Sequence, residues 1–381
     1  MCGNRVQNQP KPAEHARDGE RTTAIDPWIV SLAEKCHAKI VQAPFLFVAI
    51  GERLLTMRIF YNLAAFLMLA AACSAELPDY YKTVDRVTWV VRDIDHVKKG
   101  WLRLGLSAVR DYGEVRFQGR YHGAPVTIVA HRVTGHLGDL TVDMVQPSPG
   151  QENAFTDFLA RHGDGIFAVV HEVPSTEEMA NESRRIHGLG VGTLQELVTD
   201  KGSDAVTYTY FDTEPQGKFV LGLAYAESRL SPRRKRVISH IAPVVHESGG
   251  VSAFWHSLGF PAFTMEHATP REDSRYRGRP LWFAFEVGFQ NFDRISYEWI
   301  VPPSTPPNIY ADFLKSHGEG IQHLGMPVND LENSAAAYEK LGYHVWQSGA
   351  WGDVGKKNSG RYDYMDTDSI GGVSVELIHA Y

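Results

Sequence analysis

Apolar positions between residues 84 and 380 follow two alternating rhythms, and the order of those rhythms repeats. The run VDRVTWVVRD (84–93) is rich in valine and aromatic residues and reads as a strand. DHVKKGWLRLGL (95–106) then spaces its apolar residues as a helix does and leaves through Leu-Gly. Strand-like runs follow in EVRFQGRYHG, PVTIVAHRV and DLTVDMVQP, the last ending at Pro147. QENAFTDFLARHG has helical spacing and crosses to the next unit. The same order returns from Ile166, from Val237 and from Ile321. The pattern therefore predicts an α+β chain of four βαβββ modules in two pairs, 84–226 and 237–380.

The pairs can be aligned on each other. AFTDFLARHGDGIFAVVHEVPS (154–175) and IYADFLKSHGEGIQHLGMPVND (309–330) share DFLxxHGxGI at an offset of 155 residues. Leu104-Gly105 matches Leu258-Gly259, and Tyr210 to Thr213 matches Tyr364 to Thr367, both at 154. Pro147 matches Pro302 at 155. A repeat of this length signals two copies of a whole domain.

The first eighty residues break the pattern. From Met57, MRIFYNLAAFLMLAAACSAELP has a basic start, an apolar run from Ile59 to Ala72 and small residues at a cleavage point. That run, about 14 residues, is short for a membrane span. It reads as a signal peptide over 57–75, with an exported product, periplasmic or secreted, cleaved after Ala75 or lipid-anchored through Cys73. Residues 1–56 then read as an extension outside the mature protein, and the mature chain is expected to have no stable membrane span. The expected organisation is an N-terminal domain over 84–228, a linker over 229–236 containing SPRRKR (231–236), and a C-terminal domain over 237–380.

Bulk composition narrows the chemistry. Of the 381 residues, 43% are hydrophobic and 22% charged, as in ordinary globular domains. A net charge of −7 argues against a nucleic-acid partner, which needs a basic face. The three cysteines, Cys2, Cys36 and Cys73, all precede the repeats, so neither domain holds a disulfide, a thiolate metal site or a cysteine nucleophile.

QHLGMPVNDLENSAAAYEKLGY and GGVSVELIHAY make residues 84–380 resemble the vicinal oxygen chelate superfamily, which includes glyoxalase I, methylmalonyl-CoA epimerase, bleomycin-resistance proteins and extradiol dioxygenases. The resemblance implies two tandem glyoxalase-like domains, with metal ligands on the first and last strands of each module. In the C-terminal pair those positions hold His240, Glu298, His323 and Glu376. It implies a divalent ion there, nickel, zinc, cobalt, manganese or iron(II). Physical chemistry points the same way. Each of the four lies in an apolar strand, and a glutamate buried there without a partner would cost several kcal/mol. The matching N-terminal positions are Arg86, Asp143, Ala168 and Gly222, so that half should hold no metal.

Four protein ligands leave two open positions, suited to adjacent oxygens of a small-molecule carbonyl substrate, with the metal as Lewis acid and Glu298 or Glu376 as the base. The reading is a lyase or isomerase. The alternatives are a non-haem iron dioxygenase using His240, His323 and Glu376, or a non-catalytic small-molecule binder. Trp299, Arg361 and His379 are candidate substrate contacts, the loop 350–362 is a candidate cover, and the resemblance leaves room for a homodimer.

Overall fold

A computed structural model describes residues 77–199, 205–226, 235–269, 271, 273–282 and 284–381. The expected extension, signal peptide and Cys73 anchor, and most of the expected linker, lie outside the described residues. Among the described residues, no helix is long and apolar enough to cross a membrane.

The first module runs β1 (Arg86–Val90), α1 (Ile94–Arg103), β2 (Ser107–Tyr121), β3 (Ala124–Leu137) and β4 (Leu140–Pro147). Helix α2 (Ala154–His162) leads into β5 (Gly165–Glu172), α3 (Thr176–Gly188), β6 (Thr193–Thr199), β7 (Val206–Phe211), the single turn α4 (Glu214–Gly217) and β8 (Val220–Ala226). The third module is longer: β9 (His240–Val244), α5 (Gly249–Ser257), β10 (Glu266–Ala268), the short β11 (Arg275–Tyr276) and β12 (Arg279–Pro280), β13 (Phe285–Asn291) and β14 (Ser296–Val301). Helix α6 (Ile309–His317) joins it to β15 (Gly320–Pro327), α7 (Leu331–Lys340), β16 (Val345–Trp351), β17 (Gly360–Met365) and β18 (Ser374–Ala380).

The opening strands β1, β5, β9 and β15 are almost wholly buried, because one face lines a sheet interior and the other packs under helices. That explains their continuous apolar character. Each opening strand pairs in parallel with the closing strand of its own module and antiparallel with the opening strand of its partner module. The central order is therefore β4-β1-β5-β8 in one half and β14-β9-β15-β18 in the other.

The halves differ at their edges. In the first, β2 pairs with β6 from Phe117–Thr199 to Tyr121–Gln195, closing an eight-stranded barrel. In the second, β10 has three residues and pairs with β13 alone, so the ten-stranded sheet stays an open cup. Pro261 lies in the segment that corresponds to the long β2–β3 hairpin and Pro280 ends the two-residue β12, and proline cannot donate to a ladder.

The repeated DFLxxHGxGI motif makes the joint between the halves. Gly163 and Gly318 end α2 and α6 at φ 75° and 76°, a left-handed conformation in which a side chain would be strained. Next to them, His162 Nδ1–H donates to the His317 carbonyl at 2.6 Å, and His317 Nδ1–H returns the bond at 2.7 Å. Trp101 and Trp255, also repeat-related, each donate across the joint, to the carbonyls of Ile370 (2.8 Å) and Gly217 (3.1 Å). The largest apolar cluster lies between the sheets and their helices and contains residues from both halves. A separate cluster fills the closed barrel, and a third, around Val244, Ile300, Tyr310 and Phe313, fills the floor of the cup.

Candidate metal centre

His240, Glu298, His323 and Glu376 lie on β9, β14, β15 and β18, one on each of four contiguous strands. Register sets their level. Gly325 pairs with both His240 and Glu376, His323 pairs with Ala242, and Ser296, two residues before Glu298, pairs with His240. Paired residues and residues two apart share a face, so all four side chains enter the cup. Gly325 stands between His240 and Glu376, where a Cβ would overlap the His240 ring. The glycine of HLG is there to admit an imidazole.

The four donors converge. His240 Nε2 lies 3.2 Å from His323 Nε2, 3.1 Å from Glu298 Oε2 and 2.9 Å from Glu376 Oε2. His323 Nε2 is 3.1 Å from Glu298 Oε2 and 3.5 Å from Glu376 Oε2. Donors bound to one ion at about 2.1 Å and at tetrahedral or octahedral angles lie roughly 3.0–3.4 Å apart. The spacing and the chemistry both fit a divalent ion. Glu376 Oε2 is buried and satisfies no hydrogen bond despite these close approaches. A buried anionic oxygen left so would be costly, and a shared cation relieves it.

Electrostatics express the same demand for positive charge. Burial would lower the His240 imidazole, but Glu298 and then Glu376 outweigh it and push it up to about 10. Burial would raise Glu298, yet His240 and His323 hold it well below the usual carboxylate range. Burial and Glu298 would raise Glu376; the close approach of the same two histidines brings it below its ordinary value. Beside the donors, Tyr364 meets His323 edge-on at 4.9 Å between centroids and accepts a hydrogen bond from Tyr310 at 2.9 Å. Burial raises the phenols of Tyr310, Tyr362 and Tyr364, so they stay protonated.

The closed barrel has the same register with different chemistry. Its row is Arg86, Val170 and Gly222, with a valine where the cup has Gly325. Asp143 accepts from Arg132 Nε at 3.0 Å and Nη2 at 3.1 Å, from Arg86 Nη1 at 3.4 Å, and from the Tyr208 hydroxyl. Burial would raise its carboxyl, and Arg132 and Arg86 hold it below the ordinary value instead. Two guanidinium groups supply the charge that a cation would bring, and Ala168 and Gly222 offer no donor atom.

The expected substrate contacts do not face the cup. Trp299 follows Glu298 on β14 and so points the other way, into the core, stacked on Phe263 at 5.1 Å and on Phe219 at 5.8 Å. Arg361 and His379 pair with each other on the outer face of β17 and β18. Arg361 binds Glu332 on α7, and His379 Nδ1–H donates to the Val328 carbonyl at 3.1 Å. Strand parity decides all three: each is an odd number of residues from an inward position. The same parity identifies inward residues that went unnoticed, Tyr364 in register with Glu376 and Phe289 in register with Glu298.

No family model matches the chain, and no curated protein sequence matches it. Solved structures share its fold. A mutant of 4-hydroxymandelate synthase from Streptomyces coelicolor superposes with a TM-score of 0.53 at 18% identity, over 78% of this chain and 92% of that one. BphC, a halotolerant catechol dioxygenase, gives 0.42 at 12% over 78% and 87%. The Mn(II)-bound glyoxalase from Novosphingobium aromaticivorans gives 0.41 at 14% over 78% and 82%. The likeness to the synthase concerns the fold alone, α+β with four βαβββ modules in two tandem domains.

Proposed function

We propose that this chain is a divalent-metal-dependent enzyme that chelates adjacent oxygens of a small carbonyl substrate and transfers the proton α to the carbonyl, as a lyase or isomerase. The observation that carries this reading is the convergence of four donors, two imidazole nitrogens and two carboxylate oxygens, at the wall of an open cup. The donor set suits nickel, zinc, cobalt, manganese or iron(II). When bound, such an ion supplies Lewis acidity that makes the neighbouring C–H acidic.

The protein's own groups do the rest. His240 and His323 present Nε2 atoms held at fixed spacing, and Glu376 stays buried beside them. Glu298 is the most exposed of the four donor residues, with 12% of its side chain accessible. Its strand adjoins β13, near the open side of the sheet, so its carboxylate is the better placed to take and return a proton. Tyr310, Tyr362 and Tyr364 provide an apolar wall with neutral hydroxyls, which can orient a substrate without adding charge. Val244 and Ile300 close the floor and keep water from it.

The place of Glu298 near the open edge of the sheet also favours a second reading, in which it stands off the ion and His240, His323 and Glu376 form a facial triad for iron(II) and dioxygen. The two readings separate in one pair of assays on the metal-loaded protein. Incubation with small 2-hydroxy ketones in heavy water is expected to exchange the α-hydrogen without consuming oxygen, and Glu298→Gln is expected to slow exchange about 100-fold or more. Oxygen uptake with iron(II) and no exchange would establish the dioxygenase instead. Metal uptake with neither activity would leave a binding protein.

A further inference from the structure

The metal reading leaves one buried polar group at the centre unexplained. Gln322 precedes His323 on β15, is 2% exposed, and places its side-chain oxygen 2.6 Å from His323 Nδ1. Neighbours along a strand normally point to opposite faces, so this contact needs a break in the pleat. The break is present: β15 against β9 pairs Ile321 with Pro243 and His323 with Ala242, leaving Gln322 as an extra residue in a bulge. The closed barrel has the same bulge between β1 and β5, where the extra residue is Phe167, packed on Phe155 and Tyr210. The fold therefore demands a bulge but not a glutamine. An amide occurs only in the half that has converging donors.

We propose that Gln322 is the positioning residue that commits His323 to one tautomer. This role rests on the metal reading of the same site. The Gln322 carbonyl oxygen accepts the Nδ1 proton, so the lone pair is left on Nε2, the atom that faces His240, Glu298 and Glu376. A neutral acceptor orients the ring without placing another carboxylate beside Glu298 and Glu376. The other imidazole is held more loosely, with Nδ1 3.4 Å from the Ser239 hydroxyl. His323 is thus the fixed ligand of the pair.

The test compares zinc-loaded wild type, Gln322→Met, Gln322→Glu and Ser239→Ala in the full chain. Two quantities are read: zinc dissociation constants by competition with a chromophoric chelator, and imidazole tautomers by long-range proton–nitrogen NMR. Methionine keeps the volume but accepts no such bond. Gln322→Met is expected to weaken zinc binding about 10- to 100-fold and to leave the His323 Nδ1 proton in fast exchange with water. Gln322→Glu, with an oxygen at the same reach, is expected to recover most of the affinity and shift that proton resonance downfield, whether or not the methionine variant folds. Ser239→Ala should change affinity by about threefold at most. If Gln322→Met binds zinc as wild type does and retains a slowly exchanging Nδ1 proton, or if Gln322→Glu leaves that proton's shift unchanged, the assignment is wrong and the metal site stands. If wild type takes up no zinc or other divalent ion, the metal reading fails and this assignment falls with it.

Discussion

A single hydrogen in place of a methyl group decides whether the donors can meet. Gly325 lies in register with His240 and Glu376, and its missing Cβ is the space that the His240 ring occupies. Gly325→Ala should therefore displace His240, abolish stoichiometric metal uptake and cost about 1–3 kcal/mol through overpacking, readable by metal analysis and urea unfolding of the same sample. Normal metal content in that variant would show that His240 is not a ligand. The cluster of His240, Glu298, His323 and Glu376 was legible in the sequence because the resemblance supplied strand positions and the residue types supplied chemistry. The substrate contacts were not, because the residue types of Trp299, Arg361 and His379 say nothing of which face of a strand they occupy. Counting parity from Glu298 and Glu376 turns them outward and brings Tyr364 and Phe289 inward. Gln322 escaped for the opposite reason: a bulge overrides parity, and nothing in GIQHLG marks one.

Elements in this protein are punctuated by residues whose purpose appears only in three dimensions. The HG of DFLxxHGxGI reads as a helix end, and Gly163 and Gly318 do cap α2 and α6, but the histidines tie one half to the other through reciprocal bonds. Strand β5 carries a third histidine, His171, fully buried, whose Nδ1–H donates 2.6 Å to the carbonyl of Thr83 and anchors the segment leading into β1. Burial pushes this imidazole down to about 4. The unfolded chain binds that proton near pH 6.5 while the folded chain does not until about pH 4, so acid favours unfolding across this window. Stability should fall by up to about 3 kcal/mol between pH 6.5 and 4, and His171→Leu should flatten this part of the profile in denaturant titrations. An unchanged slope in the variant would assign the acid sensitivity elsewhere.

The described residues hold one fold used twice, sealed in one copy and open in the other. Sealing comes from β2, fifteen residues long, reaching β6, whereas β10 stops after three. The sequence pattern revealed four modules but not this difference, because strand length beyond the repeat depends on where prolines interrupt pairing. Inside the sealed copy, Arg86 and Arg132 hold Asp143 where the open copy has room for a cation. The two halves thus make opposite forecasts for the same position. Metal content after saturation and gel filtration of the full chain measures both at once. Wild type is expected to hold about one divalent ion per chain, lost in His323→Ala and kept in Asp143→Asn. Wild-type metal content in His323→Ala would contradict this expectation.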